Sequence, residues 1–256
     1  MTRQQRRKTA SAEIVKFDKG RHWRGKLGFV LLAMEQTIED DVLRLAPRGV
    51  GIHFTRIKMP NQVTVNNLKA TSSELAQAAA LILPDSPPDV ICFACTSASF
   101  ILGEDLVRKE LSKGSPKAVS TTLVTGVVQA LRALNVHKLV IATPYLEDIN
   151  LLEKDYFQRQ GFKILELKGM NLRDDSDIAR VRPEYIKDFA LSLDHPQADA
   201  IFISCGALRS LDIVDKLEQK AGKYVVVSNQ AMIWETLRLA GIEDKIKGYG
   251  RLFSEH

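Results

Sequence analysis

Asp89–Ser99, DVICFACTSAS, is the stretch whose reading decides the fold. Val90 to Ala94 run without a charge, and an uninterrupted apolar run of this length fits a strand buried on both faces, as in a parallel sheet. Its carboxyl end carries a thiol and three hydroxyls, Cys95, Thr96, Ser97 and Ser99. That is the edge where open α/β sheets bind ligands. Asp199–Arg209, DAIFISCGALR, is built the same way: an acid, an apolar run, Cys205, then small residues.

Outward from this pair, apolar runs alternate with helical spacing. Strands are predicted at 26–33, 50–57, 90–94, 118–121, 138–142, 163–167, 200–204 and 224–227. Helices are predicted at 35–45, 66–83, 104–111, 124–134, 147–159, 182–193, 208–219 and 231–240. Thr71-Ser72-Ser73-Glu74 has the capping-box pattern, in which a hydroxyl and a glutamate satisfy open amides at a helix start or restart. Pro84, Pro87 and Pro88 stop that helix, Pro183 opens another, and Gly222 closes a third. Strands alternating with helices give an α/β class with mainly parallel sheets.

The order of elements repeats. KLGFVLLAMEQTIEDDVLRL from Lys26 aligns with KLVIATPYLEDINLLEKDYF from Lys138, and the two cysteine stretches align with each other. AVSTTLVTGVVQALRAL aligns with VVVSNQAMIWETLRLAG after a two-residue slip. The chain therefore reads as two pseudo-symmetric, doubly wound α/β domains with a cleft between them. The first spans 26–122 and is joined by the returning C-terminal segment 230–256; the second spans 123–229; residues 1–25 form a basic arm.

Hydrophobic residues make up 45% of the 256, enough for a full core, and no apolar run reaches the ~18 residues of a membrane span. The N-terminus has no apolar h-region, so a secretory signal is not expected. Three cysteines without a paired framework suit a reducing, cytoplasmic setting. The net charge of +5 sits in the arm: residues 1–26 hold nine Lys/Arg against two acids, so the remainder is net −2. With no aromatic platform or recognition helix beside it, the arm is not expected to bind nucleic acid. Packing on a neighbouring subunit of a homo-oligomer is the expectation.

Cofactor motifs are missing: there is no GxGxxG or GxxxxGK[ST], and Gly49-Val50-Gly51 lacks the rest of either. His22, His53, His137, His195 and His256 are scattered, and there is no second CxxC, so no metal is expected. Cys92 and Cys95 lie three apart on a strand and hence on opposite faces, so Cys92 reads as core.

Two thiols at matched strand ends, one on each side of a cleft, suit proton transfer at a carbon next to a carboxylate. One thiolate takes the proton from one face and the opposing thiol delivers one to the other. Each cysteine precedes an expected helix start, whose open amides would stabilise a thiolate or hold a carboxylate. The hydroxyls of Thr96, Ser97 and Ser99 and the Gly206 amide are natural clamps. The same thiols could instead add covalently to a double bond. Cys205 alone could protonate an enolate left by decarboxylation, and a non-catalytic small-molecule binder is the rival from another class.

At these residues the sequence resembles the aspartate/glutamate racemase superfamily. Within it, the chain is similar to the branch of maleate isomerase and arylmalonate decarboxylase, closest to the ectoine-utilisation type. The carriers are FACTSAS around Cys95, ATPY ending in Tyr145, MNLRDDSDIARV around Asn171, FISCGALRS around Cys205, and VVSNQAMIWETLRLAG. The resemblance implies cofactor-free chemistry on a small carboxylate or amino-acid derivative, with Cys95 and Cys205 as catalytic thiols. It puts Glu35, Thr96, Ser97, Tyr145, Asn171, Gly206 and Ala207 around the substrate. One departure stands out: Ala33-Met34-Glu35-Gln36-Thr37 replaces a Ser-Asn-Thr loop. Glu35 would repel a dicarboxylate and would suit a substrate ammonium. Cys95, which the decarboxylases lack, favours racemisation or isomerisation.

Overall fold

The computed structural model describes residues 16–256; residues 1–15, most of the basic arm, lie outside the described residues. The first half runs β1 (Gly25–Leu32), α1 (Ile38–Leu45), β2 (Val50–Ile57), α2 (Val65–Ala70), α3 (Leu75–Ala80), β3 (Val90–Phe93), α4 (Thr96–Leu102), α5 (Glu104–Gly114), β4 (Val119–Thr122) and α6 (Leu123–Ala133). The second runs β5 (Lys138–Thr143), α7 (Glu147–Arg159), β6 (Lys163–Gly169), α8 (Asp175–Ile178), α9 (Pro183–Ser192), β7 (Ala200–Ile203), α10 (Val214–Ala221), β8 (Tyr224–Val227), α11 (Ser228–Leu239) and α12 (Arg251–Glu255).

The strands form two parallel sheets with one topology, β2-β1-β3-β4 and β6-β5-β7-β8. β3 and β7 lie inside their sheets and every residue of both is buried, which is why each reads as an unbroken apolar run. The aspartates that open the two diagnostic stretches also match. Asp89 Oδ2 accepts from the Lys26 amide at 2.8 Å, and Asp199 Oδ2 accepts from the Lys138 amide at 2.8 Å. In each sheet the chain leaves the first strand outward and returns on its other side. The carboxyl ends of β1 and β3, and of β5 and β7, are therefore topological switch points, where open α/β sheets hold ligands.

α11 is buried from Ser228 through Leu237 and packs on α6, on α1 and on the first sheet. Its crossing with α6 is tight: a Cβ on Gly126 would lie 3.0 Å from the Ala231 carbonyl oxygen. Two loops, one from each half, also meet. Gln62, after β2, bridges antiparallel to Asp174, after β6. Around the bridge, Val63 N donates to Arg173 O at 2.8 Å and Asp175 N to Asn61 O at 2.9 Å.

Local details correct three expectations. The helix predicted at 66–83 is α2, a 3-10 turn over Thr71–Glu74, and α3. No capping box forms there: Thr71 Oγ1 donates back to Leu68 O, and the Glu74 carboxylate accepts from the Lys58 amide. The helix start lies at Thr64, whose hydroxyl accepts from Asn67 N. The helix predicted from Leu208 begins as a 3-10 turn at Leu211 and becomes α-helical at Val214, so Cys205 precedes a turn rather than a helix.

Candidate active site

Four strand ends meet in one cavity. The loop after β1 brings Glu35, β3 ends in Cys95, the loop after β5 brings Tyr145, and β7 ends in Cys205. Thr96, Ser97, Gly206 and Ala207 complete this polar side, while Leu32, Met59, Val63 and Leu68 form an apolar wall. The free space is about 20 Å³, room for about one water. The cavity is thus closed, with the 61–63 and 173–175 loops clasped together beside it.

Both sulfurs line this shared cavity. Cys95 is the N-cap of α4, and its sulfur accepts from Ala98 N at 3.5 Å. Cys205 has φ +95°, which L side chains rarely adopt. It is held there through α11: Cys205 N donates to Ser228 Oγ at 3.0 Å, and Thr96 Oγ1 donates to the same oxygen at 3.1 Å. One hydroxyl therefore ties the two thiol loops together. Next to it, Asn229 Nδ2 donates to Gly206 O and to Asp41 Oδ2, both at 2.8 Å. Gly206 is tightly enclosed, since a Cβ there would meet Ile38 Cδ1 at 2.7 Å.

In the closed cavity, burial works against the thiolates that the sequence reading expects. Burial pushes the Cys95 thiol up to about 12; the Ala98 amide and Ser97 hydroxyl pull the other way, while Asp175 and Glu35 add to the rise. Cys205 is also raised, first by burial and then by Asp175, with a partial offset from the Tyr145 phenol and the Ala207 amide. Tyr145 feels both thiols and is itself raised by burial. Glu35 is raised by burial, although its Oε1 accepts from the Thr37 and Ile38 amides at 2.6 and 3.0 Å. In the resting cavity, desolvation outweighs the open amides at the start of α4.

Of the residues singled out in the sequence, Cys95, Cys205, Glu35, Thr96, Ser97, Tyr145, Gly206 and Ala207 line the cavity together. Asn171 does not: it is exposed, at φ +57° in the turn after β6. Asp175 lines the cavity and was missed. Ser228 and Asn229 were also missed as supports. They follow a buried apolar strand, the same signal that pointed to Cys95. Among the described residues, no group of three or more His, Cys, Asp or Glu is placed to hold a metal, and no helix is long and apolar enough to cross a membrane.

The family model described as arylmalonate decarboxylase matches residues 59–253. A maleate isomerase of Nocardia farcinica is 26% identical over 242 residues, 90% of this chain and 96% of that protein. The arylmalonate decarboxylase of Bordetella bronchiseptica is 35% identical over 141 residues, 53% of this chain and 58% of that protein. A solved structure of the N. farcinica maleate cis-trans isomerase, a mutant with a covalently bound succinylcysteine intermediate, superposes with a TM-score of 0.83. It is 24% identical and covers 91% of this chain and 99% of that one.

Proposed function

The chain belongs to the arylmalonate decarboxylase family, and from that premise we propose that it is a cofactor-independent isomerase or racemase. Its two opposed cysteines would act at a carbon next to the carboxylate of a small acid or amino-acid derivative. The observation that carries this reading is that Cys95 and Cys205, from equivalent strand ends of two equivalent sheets, line the same cavity. One thiolate takes the proton and becomes a thiol; the electron pair stays on the substrate as an enolate stabilised by its carboxylate. The opposing thiol then protonates the other face and becomes the thiolate. Thiolate addition to a double bond is the alternative route for an unsaturated acid, and the succinylcysteine in the N. farcinica enzyme is an adduct of that kind.

In this reading Thr96, Ser97, Gly206 and Ala207 hold the carboxylate, Tyr145 supports the Cys205 sulfur, and Asn171 reaches the substrate only in an opened or rearranged form. We place the division at 26–122 with 230–256, and 123–229; the packing of α11 on α1 and the first sheet favours the return of the C-terminal segment, while its more extensive packing on α6 ties the two units together. A cytoplasmic setting fits three unpaired cysteines. A homo-oligomer and a role in ectoine utilisation belong to the same proposal.

The test is a set of small carboxylates, acetylated diamino acids included, incubated in deuterium oxide. The expected result is deuterium uptake at the α-carbon, lost at least about a thousandfold in both Cys95→Ser and Cys205→Ser. Full turnover in both variants would overturn the assignment. The decarboxylase reading is favoured by the 35% identical relative. It predicts carbon dioxide release that needs Cys205 and survives loss of Cys95.

A further inference from the structure

Two carboxylic acids face the small cavity that holds both thiols. Glu35 comes from the loop after β1 and Asp175 from the start of α8, so the two halves of the molecule contribute one each. Each residue is only 7% exposed. Asp175 Oδ2 is buried with no hydrogen-bond partner, and the two carboxylates lie within electrostatic reach of one another. Among the described residues lining the cavity there is no Lys, Arg or His. Arg56 lies nearest Glu35, but its guanidinium is engaged by the Glu39 carboxylate at 2.9 Å and by the Glu35 carbonyl at 2.8 Å.

We propose that the substrate carries a protonated amine as well as a carboxylate, and that Glu35 and Asp175 together receive the amine. This rests on the reading that the two-thiol cavity is the substrate site. It departs from a plain dicarboxylate, whose two negative charges would enter beside two carboxylates and a forming thiolate. Buried like charges disfavour ionisation of each other, and a cation between them removes that penalty. An ammonium seated there also acts on the sulfurs. Burial chiefly holds the Cys95 and Cys205 thiols neutral, and Asp175 and Glu35 add to it, so neutralising these acids on binding removes their share of the barrier to a thiolate. The polarity of the cavity then orients the ligand. Once the cavity, with its room for about one water, opens to admit the ligand, the amine would meet Glu35 and Asp175, the carboxylate the hydroxyls and amides of the Thr96–Ser97 and Gly206–Ala207 loops, and the carbon chain the wall of Leu32, Met59, Val63 and Leu68.

The experiment is calorimetric titration of the full chain with maleate and malonate as one series and alanine, aspartate and ornithine as the other. At least one amino acid is expected to bind more tightly than either dicarboxylate. Its affinity should fall about tenfold or more in Glu35→Gln and in Asp175→Asn, the range for losing a hydrogen bond to a charged group. Both variants keep side-chain shape, and Gln retains an acceptor for the Thr37 and Ile38 amides. Dicarboxylate affinity should rise in the same variants. Dicarboxylates binding as well as the amino acids, no amino acid binding, or an unchanged preference in both variants would each overturn the proposal. The thiol assignment is read apart from this. Cys95→Ser and Cys205→Ser should keep amino-acid binding and lose turnover, so either idea can fail while the other stands.

Discussion

Cys95 and Cys205 are held as neutral thiols by burial, with two acids adding to the effect. Because a raised pKa favours the protonated form, the thiolate fraction of the resting protein near neutrality is far below that of a free thiol at ~8.5. Iodoacetamide should therefore modify the native protein more slowly than a model thiol at pH 8. The rate should still be climbing at pH 10, where an unperturbed thiol has levelled off; a plateau near pH 9 would contradict this electrostatic picture. A second residue-scale consequence follows from the +95° φ of Cys205. Left-handed backbone costs a residue with a Cβ about 1–2 kcal/mol. Cys205→Gly should thus be more stable to urea than Cys205→Ala by about 1 kcal/mol, though both lack the thiol. Equal stabilities would mean that Ser228 and its neighbours impose no strain there.

Among the elements, the 61–63 loop and the 173–175 segment are clasped together, and each gives a residue, Val63 and Asp175, to the lining of a cavity that holds about one water. Asn61 pins the clasp twice, through Nδ2 to Ser176 Oγ and through Oδ1 from Ser176 N, both at 3.1 Å. Asn61→Ala should raise the alkylation rate of the site thiols several-fold while lowering the melting temperature by only a few degrees, since each bond contributes about 1 kcal/mol. Unaltered alkylation would show that entry does not pass this clasp. The central strands were legible in sequence because burial on both faces leaves a short apolar run bounded by acids and small residues, as at Val90–Phe93 and Ala200–Ile203; the edge strands Val50–Ile57 and Tyr224–Val227 also match their predicted spans. The duplicated ends of β3 and β7 made both thiols legible as well. What was not legible depends on distant partners. Glu74 turns from a capping role to the Lys58 amide. The Cys205–Ser210 turn is held by Ser228 and Asn229. Asp175 lines the cavity because Asn61 bonds its amide from the other half. No local spacing encodes those contacts.

Taken as a whole, the molecule buries carboxyl groups in both halves. Asp41, Asp175 and Glu235 are each raised to about 7, and Glu153 to about 8, in every case first by burial. Unfolded, these groups titrate near ~4. Between these limits the folded chain holds protons that the unfolded chain has released, so stability falls as pH rises. The contribution is fully present below ~4 and is lost as pH climbs through 7 and 8. The unfolding free energy from urea titration should accordingly be higher at pH 5.5 than at pH 8.5, by about 1 kcal/mol or more, since a tenfold change in proton affinity between the folded and unfolded chain is worth ~1.4 kcal/mol. Glu153 makes the sharpest case: on α7 it is fully buried, with neither carboxylate oxygen partnered, and the equally unpartnered Ser204 hydroxyl is the polar group nearest in effect. Glu153→Gln keeps the shape and removes the titration, so its stability profile should be flatter than that of the parent between pH ~4 and 8. The two curves should run parallel below pH ~4, where the parent side chain is neutral in the folded and the unfolded chain alike. Parallel curves across the range would mean that Glu153 is ionised when folded, and that the deficit of hydrogen bonds around it is filled by water.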